Sequence, residues 1–309
     1  MSIAIIFNHK NPETWLKALQ ENLPGQLIEV YPNISNPDQV DFALCWKADK
    51  DVLNKFPNLK VIHSVGAAVD HITKFQEIKS DQHVCRIVDP QLSSDMFEFV
   101  LSVMMAQLKN LSFYQQQQLE KLWSPKAYRN IGDVVVGILG LGEIGKVVAK
   151  RLRDVGFKVK GWSNSEKKIK KVESYAGMDE LSDFLAGTDF LVNLLPVTKA
   201  TENLLNKVHL KLINKGAFLI NTGRGEHLVE KDLIELLDED HLSGALLDVF
   251  KVEPLTKEHP FWEHPKINIT PHIASITNIN TAVLLVAENY HHHLAGRPLK
   301  QVVDLEKEY

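Results

Sequence analysis

Short, mostly apolar runs alternate with mixed segments along this chain, and the alternation occurs twice. In the first third the runs are Ala4–Phe7, Ile28–Tyr31, Phe42–Trp46, Leu59–Ser64 and Val84–Val88. Runs of this kind, separated by helical or loop segments, predict an α/β domain with a parallel sheet. From Ser94 to Leu111 the residues Met96, Phe99, Val100, Val103, Met104 and Leu108 follow helical spacing, which predicts a long helix leading out of that domain. The Gln115–Gln118 run reads as a solvated helix face.

A second series begins near Gly132. Val134–Leu139 is a continuous apolar strand, and Ile144, Val147, Val148, Leu152 and Val155 then form one helix face closed by Gly156. Further strands are expected at Lys158–Trp162, Asp189–Leu194, Ala217–Asn221, Gly244–Val249 and Ile267–Thr270, with helices between them such as Glu230–Leu237. The last helix, Ile279–Leu294, follows the completed second sheet, so it is expected to return to the first domain, with 296–309 packing there. Domain bounds follow: 1–95 with 279–309, and 96–278. Three consecutive histidines, His291–His293, point in different directions from a helix and cannot chelate one ion together; a mostly solvated segment is expected, and no metal site is assigned.

Composition narrows the class only modestly. The 309 residues suffice for two cores, and 44% hydrophobic with 24% charged residues is ordinary for a globular protein. A net charge of −4 offers no basic surface for nucleic acid, and no apolar run is long enough to span a bilayer. The start, Met1–Asn8, has neither a basic n-region nor a small-residue cleavage site and reads as a first strand. Cys45 and Cys85 sit in apolar runs and are expected as buried free thiols in a reducing, cytoplasmic setting.

Four segments of the second series carry chemistry. Gly140-Leu141-Gly142-Glu143-Ile144-Gly145 follows a strand and opens an amphipathic helix, the context in which a G-x-G-x-x-G turn holds a dinucleotide pyrophosphate. About 20 residues on, an NAD enzyme usually places an acid for the ribose 2′-hydroxyl. Here the stretch is Trp162-Ser163-Asn164-Ser165, followed by Glu166, Lys167 and Lys168, so Ser163, Asn164, Ser165 and Lys167 are assigned to the cofactor site and NADP(H) is favoured over NAD(H). Leu195, Pro196, Thr222 and Asp248, at or just past the ends of later strands, are counted with that site. Arg224 stands between two glycines after a strand, where its rigid fork can hold a carboxylate and polarise a carbonyl. His272 follows Thr270-Pro271, and an imidazole titrating near ~6.5 suits proton donation to a developing alkoxide. Glu253 can orient that ring and support its protonated form. From the residues alone, a buried Arg224–Glu253 pair with a satisfied loop histidine remains the alternative.

Asn221–Gly225, Leu247–Pro254 and Thr270–Ala274, in this order, resemble the D-isomer-specific 2-hydroxyacid dehydrogenase family over essentially the whole chain. The resemblance implies an arginine that binds substrate (Arg224) and a histidine that donates the proton (His272) with glutamate assistance (Glu253). It implies two doubly wound parallel-sheet domains: a flavodoxin-like substrate domain around an inserted Rossmann domain through which a homodimer forms. It further implies that the Ala67 and Ala68 amides, in the segment His63–His71, hold the substrate carboxylate; many members have glycine where Ala68 stands. Trp46, Trp162-Ser163-x-Ser165 and the ending Gln301–Asp304 are similar to the bacterial glyoxylate/hydroxypyruvate reductases of that family, which prefer NADPH and usually carry an arginine where this chain has Asn164. Trp46 is expected to wall the substrate pocket, with Lys47 beside it. Two alternatives stand beside this reading: an NAD-dependent phenylpyruvate- or phosphoglycerate-type dehydrogenase, and a dinucleotide-sensing corepressor-like protein.

Overall fold

The computed structural model describes residues 1–8 and 10–305; the stretch 306–309, expected to pack with its neighbours on the first domain, lies outside the described residues. The chain divides into two compact units, Met1–Gln91 with the described residues from Thr277 on, and Leu92–Ile276.

The first unit opens with β1 (Ser2–Phe7), α1 (Glu13–Asn22), β2 (Ile28–Val30), β3 (Val40–Trp46), β4 (Val61–Ser64), α2 (Asp70–Thr73) and β5 (His83–Cys85). Its five strands are all parallel in the order β2-β1-β3-β4-β5. β1 and β3 are apolar through most of their length because central strands of a parallel sheet are covered on both faces. Cys45 and Cys85 are buried free thiols in β3 and β5.

The second unit holds most of α3 (Pro90–Leu108), then α4 (Leu111–Glu120), β6 (Val135–Leu139), α5 (Glu143–Val155), β7 (Lys158–Ser163), β8 (Glu173–Ala176), α6 (Leu181–Leu185), β9 (Phe190–Asn193), α7 (Lys207–Leu210), β10 (Ala217–Asn221), α8 (Glu230–Asp238), β11 (Leu242–Leu247) and β12 (Ile267–Ile269). Seven parallel strands run in the order β12-β11-β10-β9-β6-β7-β8. One core gathers Phe184, Leu210, Leu233 and Leu236 from α6, α7 and α8; the other gathers Val100, Met104, Val148 and Leu152 from α3 and α5. Helices thus cover both faces, and the fold is doubly wound.

Two features differ from the pattern reading. The single helix expected over Ser94–Leu111 begins at Pro90 and stops at Leu108; Asn110 adopts the left-handed conformation (φ 55°) and a separate helix, α4, follows. Asparagine tolerates that region better than most side chains, so a break falls there. β8 was not anticipated, because Glu-Ser-Tyr-Ala on a sheet edge has no apolar run. In the glutamine run, Gln117 is buried while its neighbours are solvated.

The chain returns to the first unit through α9 (Ile279–Leu294), whose Tyr290 hydroxyl donates to Gln26 Oε1 at 3.0 Å. Beyond it, Val302 bridges Cys85 and Val303 is buried. The three histidines diverge: His291 is exposed, His292 binds the Pro298 carbonyl, and His293 is half-buried with Nε2 2.8 Å from Asp41 Oδ2. The solvated reading therefore fails for His293, since the buried Asp41 carboxylate draws it in. Among the described residues no group of His, Cys, Asp and Glu could hold a metal ion, and no helix is long and apolar enough to cross a membrane.

Candidate active site

Because the second sheet is wholly parallel, every strand delivers its following loop to one edge. The winding starts at β6, runs outward through β7 and β8, then resumes at β9 on the other flank of β6. That reversal point is where doubly wound sheets bind ligands.

The turn after β6 is Gly140–Gly142. A side chain on Gly140 (φ 101°) would strike the Leu194 carbonyl, and one on Gly145 would come within 1.8 Å of the Gly140 carbonyl oxygen. Close packing of α5 on the turn therefore requires glycine at both positions. Gly142 is the N-cap of this 13-residue helix; no side chain caps it, and nothing lies within 4 Å of where its Cβ would be. Unpaired N–H groups of the first turn, a favourable dipole and open space suit a pyrophosphate. Leu141 is buried beneath the turn, Ile144 is half-buried, and Glu143 pairs with Lys146 at 2.6 Å.

At the end of β7 the Ser163 hydroxyl donates to the Ser165 carbonyl at 2.8 Å, which shapes the turn and buries Ser163. Asn164, Ser165 and Lys167 are exposed beyond it. Glu166 lies 3.6 Å from Lys168, so its charge is partly answered locally.

β9 and β10 each end on a fully buried asparagine; as a site residue, Asn221 enters the sequence reading only as the first residue of the Asn221–Gly225 segment, and Asn193 not at all. Asn193 Nδ2 donates to Asn221 Oδ1 at 2.9 Å, and Asn193 Oδ1 accepts from the Leu195 N–H at 3.2 Å. The Thr222 N–H and hydroxyl both donate to the Asn193 carbonyl. Asn221 Nδ2 donates to the Arg224 carbonyl at 3.1 Å. Leu195, Thr222 and Arg224 are thereby tied together at neighbouring strand ends. The Arg224 guanidinium donates through Nη1 to the Gly223 carbonyl at 2.7 Å.

β11 and β12 supply the rest. His272 sits in the left-handed region (φ 56°), with Nδ1 at 3.1 and 3.0 Å from the two Glu253 oxygens. Glu253 Oε1 also accepts from the Phe250 N–H at 3.2 Å. Nδ1 therefore carries the proton toward Glu253, and among the described residues Nε2 meets no partner. Asp248, 1% exposed, accepts from the Thr270 hydroxyl at 2.6 Å and from the Ile273 and Ala274 N–H groups at 2.8 and 2.9 Å. Its carboxylate is engaged on both sides of His272 and holds the turn that carries the imidazole.

The remaining expected residues belong to the first unit. Trp46, at the end of β3, lies under Lys10 (4.9 Å) and Lys47 (5.9 Å) and tilts against His71. His71 Nδ1 accepts from the Lys47 N–H, so its Nε2–H donates to Ser64 Oγ at 2.9 Å. Ser64 Oγ also accepts from the Gly66 N–H and donates to the Ala68 carbonyl at 2.9 Å, shaping the half-buried Ala67–Ala68 turn. Ser64 and His71 were not read as site residues, since nothing in their spacing shows that they meet.

Residues 101–274 match the family model described as D-isomer specific 2-hydroxyacid dehydrogenase, NAD binding domain. Over 99% of both chains, the protein is 36% identical to the glyoxylate/hydroxypyruvate reductase A of Yersinia enterocolitica. A D-isomer specific 2-hydroxyacid dehydrogenase from Xanthobacter autotrophicus, solved with NADPH and MES, superposes with a TM-score of 0.94 at 33% identity, covering 100% of this chain and 99% of that one. The NADPH-dependent glyoxylate/hydroxypyruvate reductase of Sinorhizobium meliloti, solved with NADP and sulfate, gives 0.93 at 34% identity over the whole of both chains. By its glycine turn, its parallel sheets and its full-length likeness to these relatives, the chain belongs to the D-isomer specific 2-hydroxyacid dehydrogenase family.

Proposed function

We propose that the protein reduces small 2-keto acids, glyoxylate to glycolate and hydroxypyruvate to D-glycerate, with NADPH as reductant. The observation that carries this reading is the His272–Glu253 couple: an imidazole fixed through Nδ1 by a carboxylate, with Nε2 available to donate. In this reading Arg224 pairs with the substrate carboxylate. His272 Nε2–H donates its proton to the carbonyl oxygen as that oxygen becomes an alkoxide. Glu253 keeps the ring oriented and supports its positive charge beforehand. Bound NADPH supplies the hydride that reaches the keto carbon.

Three things favour NADP(H). No acid closes β7, Lys167 and Lys168 stand exposed just beyond it, and the solved relatives above hold NADPH or NADP. The family resemblance alone supports substrate contacts for Trp46, Ala67 and Ala68 and a homodimer, while the buried free thiols Cys45 and Cys85 support a cytoplasmic setting.

Initial rates of cofactor oxidation with glyoxylate, hydroxypyruvate, pyruvate and phenylpyruvate, each with NADPH and with NADH, test the proposal. Fast turnover of the two small acids with NADPH is expected. Rates confined to NADH would overturn the cofactor assignment, and a preference for phenylpyruvate the substrate assignment. Cofactor binding without turnover of any of the four would favour a dinucleotide-sensing role.

A further inference from the structure

One fully buried, nitrogen-bearing side chain beside the reaction machinery takes no part in the proposed steps. His227 lies three residues past Arg224 and is 0% exposed. Its Nδ1 is 2.8 Å from Asn193 Nδ2 and 3.2 Å from the Arg224 main-chain N–H, and its Nε2 is 3.1 Å from the Pro196 carbonyl oxygen. Two N–H groups point at Nδ1 and an acceptor faces Nε2, which defines the tautomer: Nδ1 accepts twice and Nε2–H donates. Gly223 confirms how closely this is built, since a Cβ there would come within 2.8 Å of Asn193 Nδ2 and 3.2 Å of His227 Nδ1.

We propose that His227 is a positioning residue whose two ring nitrogens hold, respectively, the main chain of Arg224 and the turn carrying Pro196, so that one imidazole sets both the substrate arginine and the cofactor-side turn. This rests on the functional reading above. Burial keeps the imidazole neutral down to about 4, so the tautomer persists through the physiological range. Protonating Nδ1 would set a third N–H against the two already there.

The two halves of the contact are separable by substitution. Asparagine at 227 places an acceptor near the Nδ1 position but has nothing to offer Pro196. Glutamine reaches the Nε2 position with a donor but leaves the Arg224 N–H without its acceptor. NADPH affinity is read by fluorescence titration, and affinity for oxalate, a two-carbon dicarboxylate probe, by quenching of the NADPH complex. His227→Gln should weaken oxalate about tenfold and NADPH by less than about threefold; His227→Asn should show the opposite ranking. His227→Leu should weaken both. Equal proportional losses in all three variants would overturn the proposal in favour of a general structural role, and so would unchanged affinities. Neither titration needs turnover, so an inactive wild-type protein would count against the proposed reaction while these affinities still decide the role of His227.

Discussion

Asp248 offers the sharpest test of how the site is held. Its carboxylate accepts three hydrogen bonds, two of them from the backbone N–H groups of Ile273 and Ala274 that follow His272. Replacement by asparagine puts an NH2 group where one oxygen stood. In one orientation that group faces the Ala274 N–H; in the other it faces the Ile273 N–H. Either way one buried donor loses its acceptor, and the remaining bonds fall from charged to neutral strength. A stranded buried donor costs ~1–3 kcal/mol and bonds to charged groups are worth ~1.5–3 kcal/mol against ~0.5–1.5 kcal/mol for neutral ones, so the whole change should approach about 3 kcal/mol. At ~2–4 °C per kcal/mol for a unit of this size, the melting temperature should fall by about 6–12 °C.

The functional effect should follow the turn. His272 holds a left-handed conformation that is uncommon for a residue with a Cβ, and Asp248 braces the turn through Thr270 on one side and Ile273 and Ala274 on the other. If the turn relaxes by about 1 Å, kcat/KM for glyoxylate should drop about 10²-fold while NADPH affinity changes by less than about threefold. Differential scanning calorimetry, steady-state kinetics and NADPH titration on Asp248→Asn give the three readouts. An unchanged melting temperature with NADPH affinity weakened tenfold or more would refute the reasoning, because it would mean that the carboxylate contacts cofactor and does not brace His272.

Other outcomes can be stated in advance. Glu253→Gln removes the charge that faces His272 Nδ1, so kcat should fall about 10²-fold or more with NADPH affinity nearly unchanged, as kinetics and titration will show. Burial holds His63 and His227 at about 4, below the 6.5 of the unfolded chain. The unfolded state therefore binds more protons between those values, and stability present above ~6.5 should be lost as pH falls toward ~4, by up to about 3 kcal/mol for each. Urea unfolding at neutral pH and near pH ~5 measures this, and the drop should be smaller in His63→Gln. Burial pushes the Cys85 thiol up to about 12 and raises Cys45 further, so neither should react with a thiol reagent at neutral pH until the protein is unfolded.

What the sequence revealed and what it hid divide along a physical line. Candidate chemistry packed into consecutive residues at a strand end was legible: the Gly140–Gly145 turn and the segments around Arg224, Glu253 and His272 each present their polar groups within a few positions, and the parallel sheet brings β10, β11 and β12 side by side. Chemistry that depends on partners far apart was not. Asn193 meets His227 across 34 residues and Asp248 meets Ala274 across 26, and no periodicity reports such pairs. A signal did exist for the asparagines, because Phe190–Asn193 and Ala217–Asn221 are otherwise apolar buried strands that each end on an amide. A buried amide needs about four hydrogen-bond partners, and a strand end at a sheet's carboxyl edge is where they would be turned toward function. Asp248 follows the same logic: read from its strand it is one more acid at the cofactor edge, and only the fold discloses that three donors from the next strand's turn already hold it. The residues proposed to act are each visible singly in the sequence, while those that hold them in place become visible only as pairs.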